Sequence, residues 1–296
     1  MSSIPLDEAT FYEHVASKEA DELSSMQLID QLSSCSSESV RCLVKLLQSD
    51  THADFPNPKG LWLSATYDCL AEWDAYNYLA PLRGKRVLQI GGKGHAAIQF
   101  MVAGADEAWL LTPIEGEARY AKELARLAGV KIDCKIGVAE NIPFDSNMFD
   151  AIYCGGCAHH FETEKAFPEI SRILAEGGRF SAIEPWRAPL YSLGIRFFGK
   201  REKEVNCKPL TPARLAPLMS SFPSSQSIQH GTITRYALLA LLKLGIVTSL
   251  ETVWRITQVD DRLSSILGLR RWGSSVAVLA EKSARVGFMQ RKSTAP

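Results

Sequence analysis

Two short stretches of the sequence combine residue types that can do chemistry. The first is a turn that directly follows an apolar run and consists of Gly91, Gly92, Lys93 and Gly94. Glycines let the backbone approach a ligand closely, and a helix that follows such a turn offers unpaired N–H groups at its start. The cluster therefore fits a nucleotide-like ligand, although it fits a plain tight turn as well.

The second stretch places two cysteines beside two histidines, as Cys154, Cys157, His159 and His160. The C-x-x-C spacing is typical of metal ligands and of redox-active thiols. Because no second cysteine pair lies nearby in the sequence, we favour small residues at the end of a strand and no metal site. Imidazole titrates near neutral pH, so either histidine could take a proton from a hydroxyl substrate. We expect one ring to point into a cleft and the other to pack away, with His159 the preferred base.

Further candidates come from other parts of the chain. Glu184 ends a later apolar run and faces the same cleft if that run is a strand in register; otherwise it is a cap or loop contact. Tyr67 is the preferred cleft residue of an aromatic stretch at residues 62–78, most of which we expect to pack on the core. Lys93 and His95 meet an anionic group at the turn or lie in a solvated loop.

The elements that position these residues begin at residue 86. Apolar runs that alternate with helical patterns read RVLQIG, EAWLLTPI, KIDCKIG, FDAIYCGG and GRFSAIEPW. Strands separated by helices of about 10–15 residues predict right-handed βαβ units and a parallel sheet covered by helices on both faces. In such an open sheet the ligand binds beyond the carboxyl ends of the strands. The fold class is therefore α/β and doubly wound, and the glycine turn lies at its ligand-binding edge.

The rest of the chain lacks this alternation. Residues 1–80 show helical periodicity, with residues 62–79 a helix, and residues 187–230 are rich in proline and serine and predicted irregular. A leucine-rich helix (TRYALLALLKLG), another helix and a late strand (GSSVAVLAEKS) follow. The predicted organisation is a helical cap at 1–80, a core at 81–187, a substrate-cap insertion at 188–272, a closing core strand at 273–284 and a tail at 285–296.

Composition narrows the function class. The 296 residues are 46% apolar, which is enough for a sizeable core. The balance of 33 basic and 33 acidic residues argues against a general nucleic-acid binder. An odd count of 7 cysteines favours a reducing compartment, and neither a signal-peptide pattern nor an apolar run of about 20 residues occurs. We expect a cytoplasmic protein without stable membrane insertion; homo-oligomer formation is open.

Segment 137–161, GVAENIPFDSNMFDAIYCGGCAHHF, closely resembles the middle of class I S-adenosylmethionine-dependent methyltransferases of the type that methylates quinones and sterols. In that family an A-E-x-(I/L)-P-F-x-x-x-x-F-D stretch precedes strand four, and a His-His-Phe run follows it. The segment PEISRILAEGGRFSAIEPW is similar to the family's next helix, Gly-Gly turn and strand five. The resemblance covers residues 84–187, and more weakly it extends to about residue 283.

The resemblance implies a Rossmann-like methyltransferase sheet with an N-terminal helical extension and a helical insertion before the last strand. It implies S-adenosylmethionine as cofactor and methyl transfer in small-molecule biosynthesis. A methyl sulfonium carries its own leaving group, so such an enzyme mainly aligns the nucleophile and excludes water. Carried over by position, the cofactor-binding residues are Gly91, Gly92, Lys93, Gly94, Thr112, Pro113, Ala139, Glu140, Cys154 and Gly155.

The chain departs from the family pattern where that pattern places acids or glycines. Gln89 stands where the family has an acid in the first strand, and Lys93 and His95 stand where it has glycines. Thr112 stands in place of the carboxylate that holds the ribose, and Val138 in place of an aspartate that binds the adenine. Glu115 or Glu117 could replace the ribose carboxylate from the start of the next helix, but spacing alone does not decide between them.

Three functions stay open at this point. The first is methyl transfer to an O- or C-nucleophile of a fairly apolar small molecule, under a cap that includes the apolar helix at residues 236–244. The second is a methyltransferase-fold enzyme of another reaction type that uses the cofactor for positioning or charge, or does not use it. The third is a non-catalytic binding partner.

Overall fold

The structure, a computed structural model, describes residues 6–24, 32, 37–49, 59–66, 68–189, 208–244, 246 and 249–283. Tyr67, one of the predicted catalytic residues, lies outside these ranges, as does the predicted tail at 285–296. No helix in the described ranges combines the length and the apolar character that crossing a membrane requires.

The described residues build one seven-stranded sheet with the order β3-β2-β1-β4-β5-β7-β6. All neighbouring strands are parallel except β7, which is antiparallel to β5 and to β6. This confirms the doubly wound, mostly parallel sheet predicted from the alternating pattern. The strands are β1 (Arg86–Ile90), β2 (Glu107–Thr112), β3 (Asp133–Ile136), β4 (Phe149–Gly155), β5 (Leu174–Pro185), β6 (Ser224–His230) and β7 (Ser275–Glu281).

The central strands form because their residues are apolar on both faces. Nearly every residue of β1, β4 and β7 is buried, as expected for strands that helices cover on both sides. The covering helices are α5 (His95–Val102), α6 (Glu115–Leu127) and α7 (Thr163–Ile173). The carboxyl ends of β1, β2 and β4 consequently meet at one edge, which is where the glycine turn and the C-x-x-C pair lie.

The N-terminal residues are helical in the described ranges, as α1 (Leu6–Ser24), α2 (Glu38–Leu47), α3 (Lys59–Trp62) and α4 (Cys69–Leu79). The prediction of one helix over residues 62–79 is wrong, because the chain leaves helical conformation at residues 63–66. Ser64 in this break donates its backbone N–H and its hydroxyl to the Glu72 carboxylate, at 3.1 and 2.7 Å. These bonds fold the break back onto α4.

The prediction that residues 187–230 are irregular is also wrong. This stretch contains α8 (Pro212–Ser221) and strand β6. Proline is tolerated in the first turn of a helix, and Thr211 caps α8 by accepting the Arg214 N–H at 3.3 Å. Strand β6 is an edge strand of sequence SSQSIQH in which only His230 is buried, so it lacks the apolar alternation that reveals a strand.

The two helices predicted after residue 230 are confirmed. They are α9 (Thr234–Lys243) and α10 (Leu250–Ile266). His230, at the end of β6, ties this part of the chain together: its two ring nitrogens lie 3.0 Å from carboxylates of Asp74 on α4 and Asp261 on α10. Burial lowers the pKa of His230, but the hydrogen bonds to Asp261 and Asp74 outweigh it and raise the pKa to about 9. The domain division proposed from the sequence stays a prediction, with β6 joining the sheet from within the predicted insertion.

Candidate active site

The turn after β1 has a backbone that demands glycine. Gly91, Gly92 and Gly94 have φ values of 74°, 70° and 77°, a region that other residues rarely adopt. A Cβ on Gly91 would lie 2.6 Å from the Cys157 sulfur, and one on Gly94 would lie 2.6 Å from Cβ of Ala121. The turn is thus packed against the chain after β4 on one side and against α6 on the other.

Gln89 braces this turn from within β1. Its side-chain amide donates to the Gly91 carbonyl at 2.8 Å, and its side-chain carbonyl accepts the Ala97 N–H of α5 at 2.9 Å. Both bonds are buried or nearly so. A neutral amide therefore stands where the resembled family carries an acid, and it fixes the turn against the following helix.

A cavity of about 400 Å³ opens above the turn and is named the α1 cavity here, because Phe11, Tyr12 and Val15 of α1 line it from above. Its remaining wall is largely backbone and apolar side chains. Of the predicted cofactor-binding residues, those that line it are Gly91, Gly92, Lys93, Pro113, Ala139, Glu140 and Gly155. The cavity is closed by a helix from outside the predicted core.

The other predicted cofactor-binding residues lie behind this wall. Gly94 packs on α6, and Thr112 and Cys154 are fully buried. Thr112 donates its hydroxyl to Glu117 at 2.5 Å, and Glu117 itself lines the α1 cavity. Glu115 lines a separate surface groove beside Arg119, so Glu117 is the acid that reaches the cavity. Burial raises the pKa of the Glu117 carboxyl.

Helix α1 is held on the site by charged contacts. Lys93 pairs with Glu19 of α1 and lies over the Tyr120 ring, 5.6 Å from its centroid. Glu13 of α1 accepts the Gly116 N–H at the start of α6, at 2.9 Å. The cation that departs from the glycine pattern therefore links the turn to the helix above it.

Glu184, at the end of β5, organises the chain that follows β4. Its carboxylate accepts the N–H groups of Cys157 and Ala158 at 2.9 and 2.6 Å, and that of His159 at 3.2 Å. The same carboxylate lies 2.7 Å from Nδ1 of His159. Glu184 is 1% exposed, so one buried carboxylate fixes both the backbone of this turn and the His159 ring.

The two histidines lie together, contrary to the expectation that one packs away. Their ring centroids are 4.0 Å apart, and they line different cavities. Nδ1 of His160 lies 3.0 Å from the buried carboxylate of Glu8 on α1, and this ring lines the α1 cavity. Burial, together with the neighbouring His159, lowers the pKa of His160 to about 4, so this ring is neutral at physiological pH.

His159 lines a second cavity of about 530 Å³, named the α4 cavity here because Glu72 and Tyr76 of α4 line it. Tyr153 stacks on Tyr76 with ring centroids 5.0 Å apart, and Arg235 of α9, which pairs with Asp68 at 3.4 Å, also lines the cavity. Burial raises the pKa of Glu72 to about 7. In contrast to the α1 cavity, this one is rich in titratable side chains.

Sequence reasoning did not single out Glu72. A charged residue inside the aromatic stretch at 62–78 was the available signal, because a carboxylate there is either exposed or held in a polar site. His95 also lines the α4 cavity, where burial and the nearby Lys93 lower its pKa to about 4. His95 is the first residue of α5 and is half-buried, so it does not lie in a solvated loop; its contact with an anionic group stays a prediction.

The two cavities share a wall. Gly92, Lys93, Gly155 and Gly156 line both of them. Glycines at this boundary keep the separating layer thin. The two cavities are therefore adjacent, and a group transfer between ligands held in them would require the reacting atoms to meet directly at this boundary.

Comparison with known proteins agrees with this geometry. Residues 88–182 match the family described as "Methyltransferase domain". An uncharacterized methyltransferase of Bacillus subtilis (strain 168), YcgJ, is 35% identical to this chain over 102 residues, which are 33% of this chain and 40% of that protein. The chain spans less than half the length of the curated methyltransferases it matches.

Solved structures share the fold of the methyltransferase domain. Geranyl diphosphate C-methyltransferase from Streptomyces coelicolor A3(2), in complex with Mg²⁺, geranyl diphosphate and S-adenosyl-L-homocysteine, has a TM-score of 0.51 at 17% identity, covering 72% of this chain and 78% of that one. The [4+2]-cyclase SpnF has a TM-score of 0.54 at 16% identity, covering 96% of this chain and 100% of that one. At these identities the likeness establishes the fold.

Proposed function

We propose that this protein is an S-adenosylmethionine-dependent methyltransferase that methylates an O- or C-nucleophile of a small molecule. The observation that carries the proposal is the wall of Gly92, Lys93, Gly155 and Gly156, called the glycine wall here, which the α1 and α4 cavities share. It places a largely apolar cavity beside one that is lined by proton acceptors. Methyl transfer needs the donor and the acceptor side by side and aligned for direct in-line attack.

The α1 cavity fits the cofactor. Gly91 keeps the turn open, because a Cβ at this position would fill the space beside Cys157. Glu117, which accepts the Thr112 hydroxyl, supplies a carboxyl group for the ribose hydroxyls. Val138 and Ala139 offer apolar surface for the adenine ring. When bound, the cofactor supplies an activated methyl group. The role of α1 is then to exclude water, through Phe11 and its neighbours.

In the α4 cavity His159 is the proposed general base. Nδ1–H donated to Glu184 places the basic lone pair on Nε2, and the buried carboxylate stabilises the imidazolium that forms when His159 takes a proton. Glu184 is thus a positioning residue. His160 is the alternative base from the sequence, but its low pKa and its place in the α1 cavity favour a role in closing that cavity.

The substrate proposed from the sequence is fairly apolar, and the lining of the α4 cavity supports a more specific form of it. Tyr76, Tyr153 and Ile183 supply apolar surface, whereas Glu72 and Arg235 supply polar groups. We propose a largely apolar molecule with a hydroxyl or enol at its reacting end and a second polar group held by Glu72.

The alternative is a methyltransferase-fold enzyme of another reaction type. One observation favours it: the cyclase covers 96% of this chain, whereas the geranyl diphosphate methyltransferase covers 72%. The N-terminal cap and the late helices thus have counterparts in an enzyme named for cyclisation. Under this alternative the α4 cavity positions a substrate, and the α1 cavity serves binding only.

Incubation with S-adenosylmethionine and a panel of phenols, enols and prenylated alcohols, followed by mass spectrometry, tests the choice. Formation of S-adenosylhomocysteine together with a methylated product supports the methyltransferase. Tight cofactor binding without a methylated product from any acceptor, combined with a rearranged product of unchanged mass, supports the alternative and contradicts the leading proposal.

A further inference from the structure

Two thiols lie almost in contact beneath the glycine turn. Cys154 is the last residue but one of β4, which ends at Gly155, and Cys157 follows the bend at Gly156. Their sulfur atoms are 2.9 Å apart. Gly156 has φ 68°, and this left-handed conformation helps the chain to fold back tightly enough to bring the thiols together. A disulfide needs about 2.05 Å between its sulfurs, so about 0.9 Å of movement would join them.

The two thiols differ in their access to small molecules. Cys157 lines the α1 cavity, whereas Cys154 is 0% exposed. The Cys157 thiol donates to the Ile90 carbonyl at 2.9 Å, directly under Gly91. A small solute that enters the cavity therefore meets Cys157 first, with Cys154 behind it as the second thiol.

Metal binding is the competing use of this cluster, because donor atoms of Cys154, Cys157 and Glu184 lie within 4.8 Å of one another. Glu184 is already engaged. One of its oxygens accepts N–H groups of Cys157 and Ala158, and the other contacts the backbone N–H and Nδ1 of His159. A carboxylate has about four acceptor positions, so a cation would have to displace bonds that hold the turn. The geometry favours thiol chemistry.

We propose that Cys154 and Cys157 are an oxidation site at which hydrogen peroxide converts the two thiols to an intramolecular disulfide. The Cys157 thiolate attacks one peroxide oxygen, the O–O bond breaks, and hydroxide leaves and takes up the thiol proton as water. The Cys154 sulfur then attacks the sulfenic sulfur of Cys157, the S–O bond breaks, and a second water leaves with the Cys154 proton. Peroxide gains two electrons, and the thiol pair loses two.

The order of attack follows from the surroundings of the two thiols. Burial raises the pKa of Cys154 well above its ordinary value. The hydrogen bond from Cys154 lowers the pKa of Cys157, while burial raises it, with a smaller net rise. Cys157 is therefore the thiol that ionises first, and it is also the one that the cavity exposes.

Closing the disulfide should change the shared wall of the cavities. The bond removes the Cys157 donor from the Ile90 carbonyl and draws the sulfur away from Gly91, while the Gly155–Gly156 turn between the cysteines lines both cavities. We expect the affinity for S-adenosylhomocysteine to fall about tenfold. This consequence rests on the proposed function, whereas formation of the disulfide does not.

Mass spectrometry of the full chain tests the site. Both cysteines lie in one tryptic peptide, residues 136–165, which contains no other cysteine. Reduced protein is treated with peroxide, alkylated in denaturant without reductant and digested. The expected peptide is unalkylated, lighter by two hydrogens, and returned to the dithiol by dithiothreitol. Cys134→Ser, which removes a thiol on β3, should give the same product, and Cys157→Ser should give none.

Alkylation of both cysteines after peroxide treatment would overturn the site, as would sulfinic acid at Cys157 without a bond to Cys154. One equivalent of zinc in the purified protein, released by peroxide, would assign the cluster to a metal. Titration of the disulfide form with S-adenosylhomocysteine then tests the consequence: unchanged affinity overturns the effect on the cavity. If the reduced protein does not bind S-adenosylhomocysteine, the proposed function fails, and the peptide mass still decides the oxidation site.

Discussion

The α1 cavity and the α4 cavity lie on the two sides of one glycine wall, yet they are built by different means. The α1 cavity depends on backbone conformation, on apolar residues of α1, and on few charged groups, among them Glu117, which accepts the Thr112 hydroxyl. The α4 cavity depends on side chains that titrate, among them Glu72 and the pair of His159 with Glu184.

This difference separates binding from reaction. Backbone N–H groups and apolar side chains do not titrate, so the part of the α1 cavity that they build should hold a ligand largely independently of pH. In the α4 cavity, burial raises the pKa of Glu72 to about 7, so this carboxyl takes up or releases a proton near neutral pH, as proton transfer requires. Substitutions should accordingly fall into two groups, those that change cofactor affinity and those that change turnover.

The largest expected effect is on the α4 side. His159→Ala should lower kcat by about 10²–10³-fold, because it removes the proposed base, while the affinity for S-adenosylhomocysteine stays within about threefold. Steady-state kinetics and calorimetry give the two numbers. His14→Ala, which removes an exposed histidine of α1, is the matched control. Unchanged turnover in His159→Ala would dismiss this residue as the base.

On the α1 side, Gly91→Ala should lower cofactor affinity about 100-fold. The new Cβ would lie 2.6 Å from the Cys157 sulfur, at a backbone φ of 74°. Gly129→Ala is the control, because Gly129 has a φ of 69° and open space around its Cβ. It isolates the conformational strain, about 1–2 kcal/mol of stability. Equal loss of affinity in both variants would show that packing against Cys157 is irrelevant.

The pH dependence sharpens the contrast between the cavities. Burial raises the pKa of Glu72 to about 7, so its carboxylate form is lost as pH falls through 7. We expect kcat/KM to fall below that pH. In Glu72→Gln we expect this step to be absent and KM to rise about tenfold, because a bond to a charged group is lost.

Glu107→Gln, at an exposed position of β2, controls for the loss of a charge. Persistence of the pH step in Glu72→Gln would assign the titration to another group. A matching step in the pH dependence of cofactor affinity would contradict the division between the two cavities.

The smallest effect should come from Glu117→Gln. Glutamine keeps an acceptor for the Thr112 hydroxyl and for a ribose hydroxyl, so cofactor affinity should fall only about fivefold, equivalent to about 1 kcal/mol. Glu115→Gln alters the same helical turn but faces a separate surface groove, and it should leave affinity unchanged. A larger loss in Glu115→Gln than in Glu117→Gln would reverse the assignment of the ribose acid.

The parts of the fold that the sequence predicts are those that contiguous residues encode. The strands from β1 to β5 and the glycine turn were predictable because each is encoded by contiguous residues with a clear apolar pattern or a required φ. Strand β6 was missed because an exposed edge strand has no such pattern. The break at residues 63–66 was missed because it depends on the Ser64–Glu72 bonds.

The site was predictable only in part, for the same physical reason. Closure of the α1 cavity depends on pairs distant in sequence, such as Glu19 with Lys93 and Glu8 with His160. The family pattern indicated the glycine turn, and the sequence left Glu115 and Glu117 open as replacements for the ribose acid. In the fold, Glu117 is the one of these two that lines the α1 cavity. Glu72 enters the α4 cavity through the packing of α4 on the sheet, and its local sequence does not encode this.

The most direct test of the central claim is isothermal titration of the full chain with S-adenosylhomocysteine. The division into a binding cavity and a reacting cavity predicts saturable one-to-one binding. Affinity should be retained in His159→Ala and Glu72→Gln and should fall about 100-fold in Gly91→Ala. Absence of binding at millimolar ligand, or loss of affinity in the α4 variants equal to that in Gly91→Ala, would contradict it.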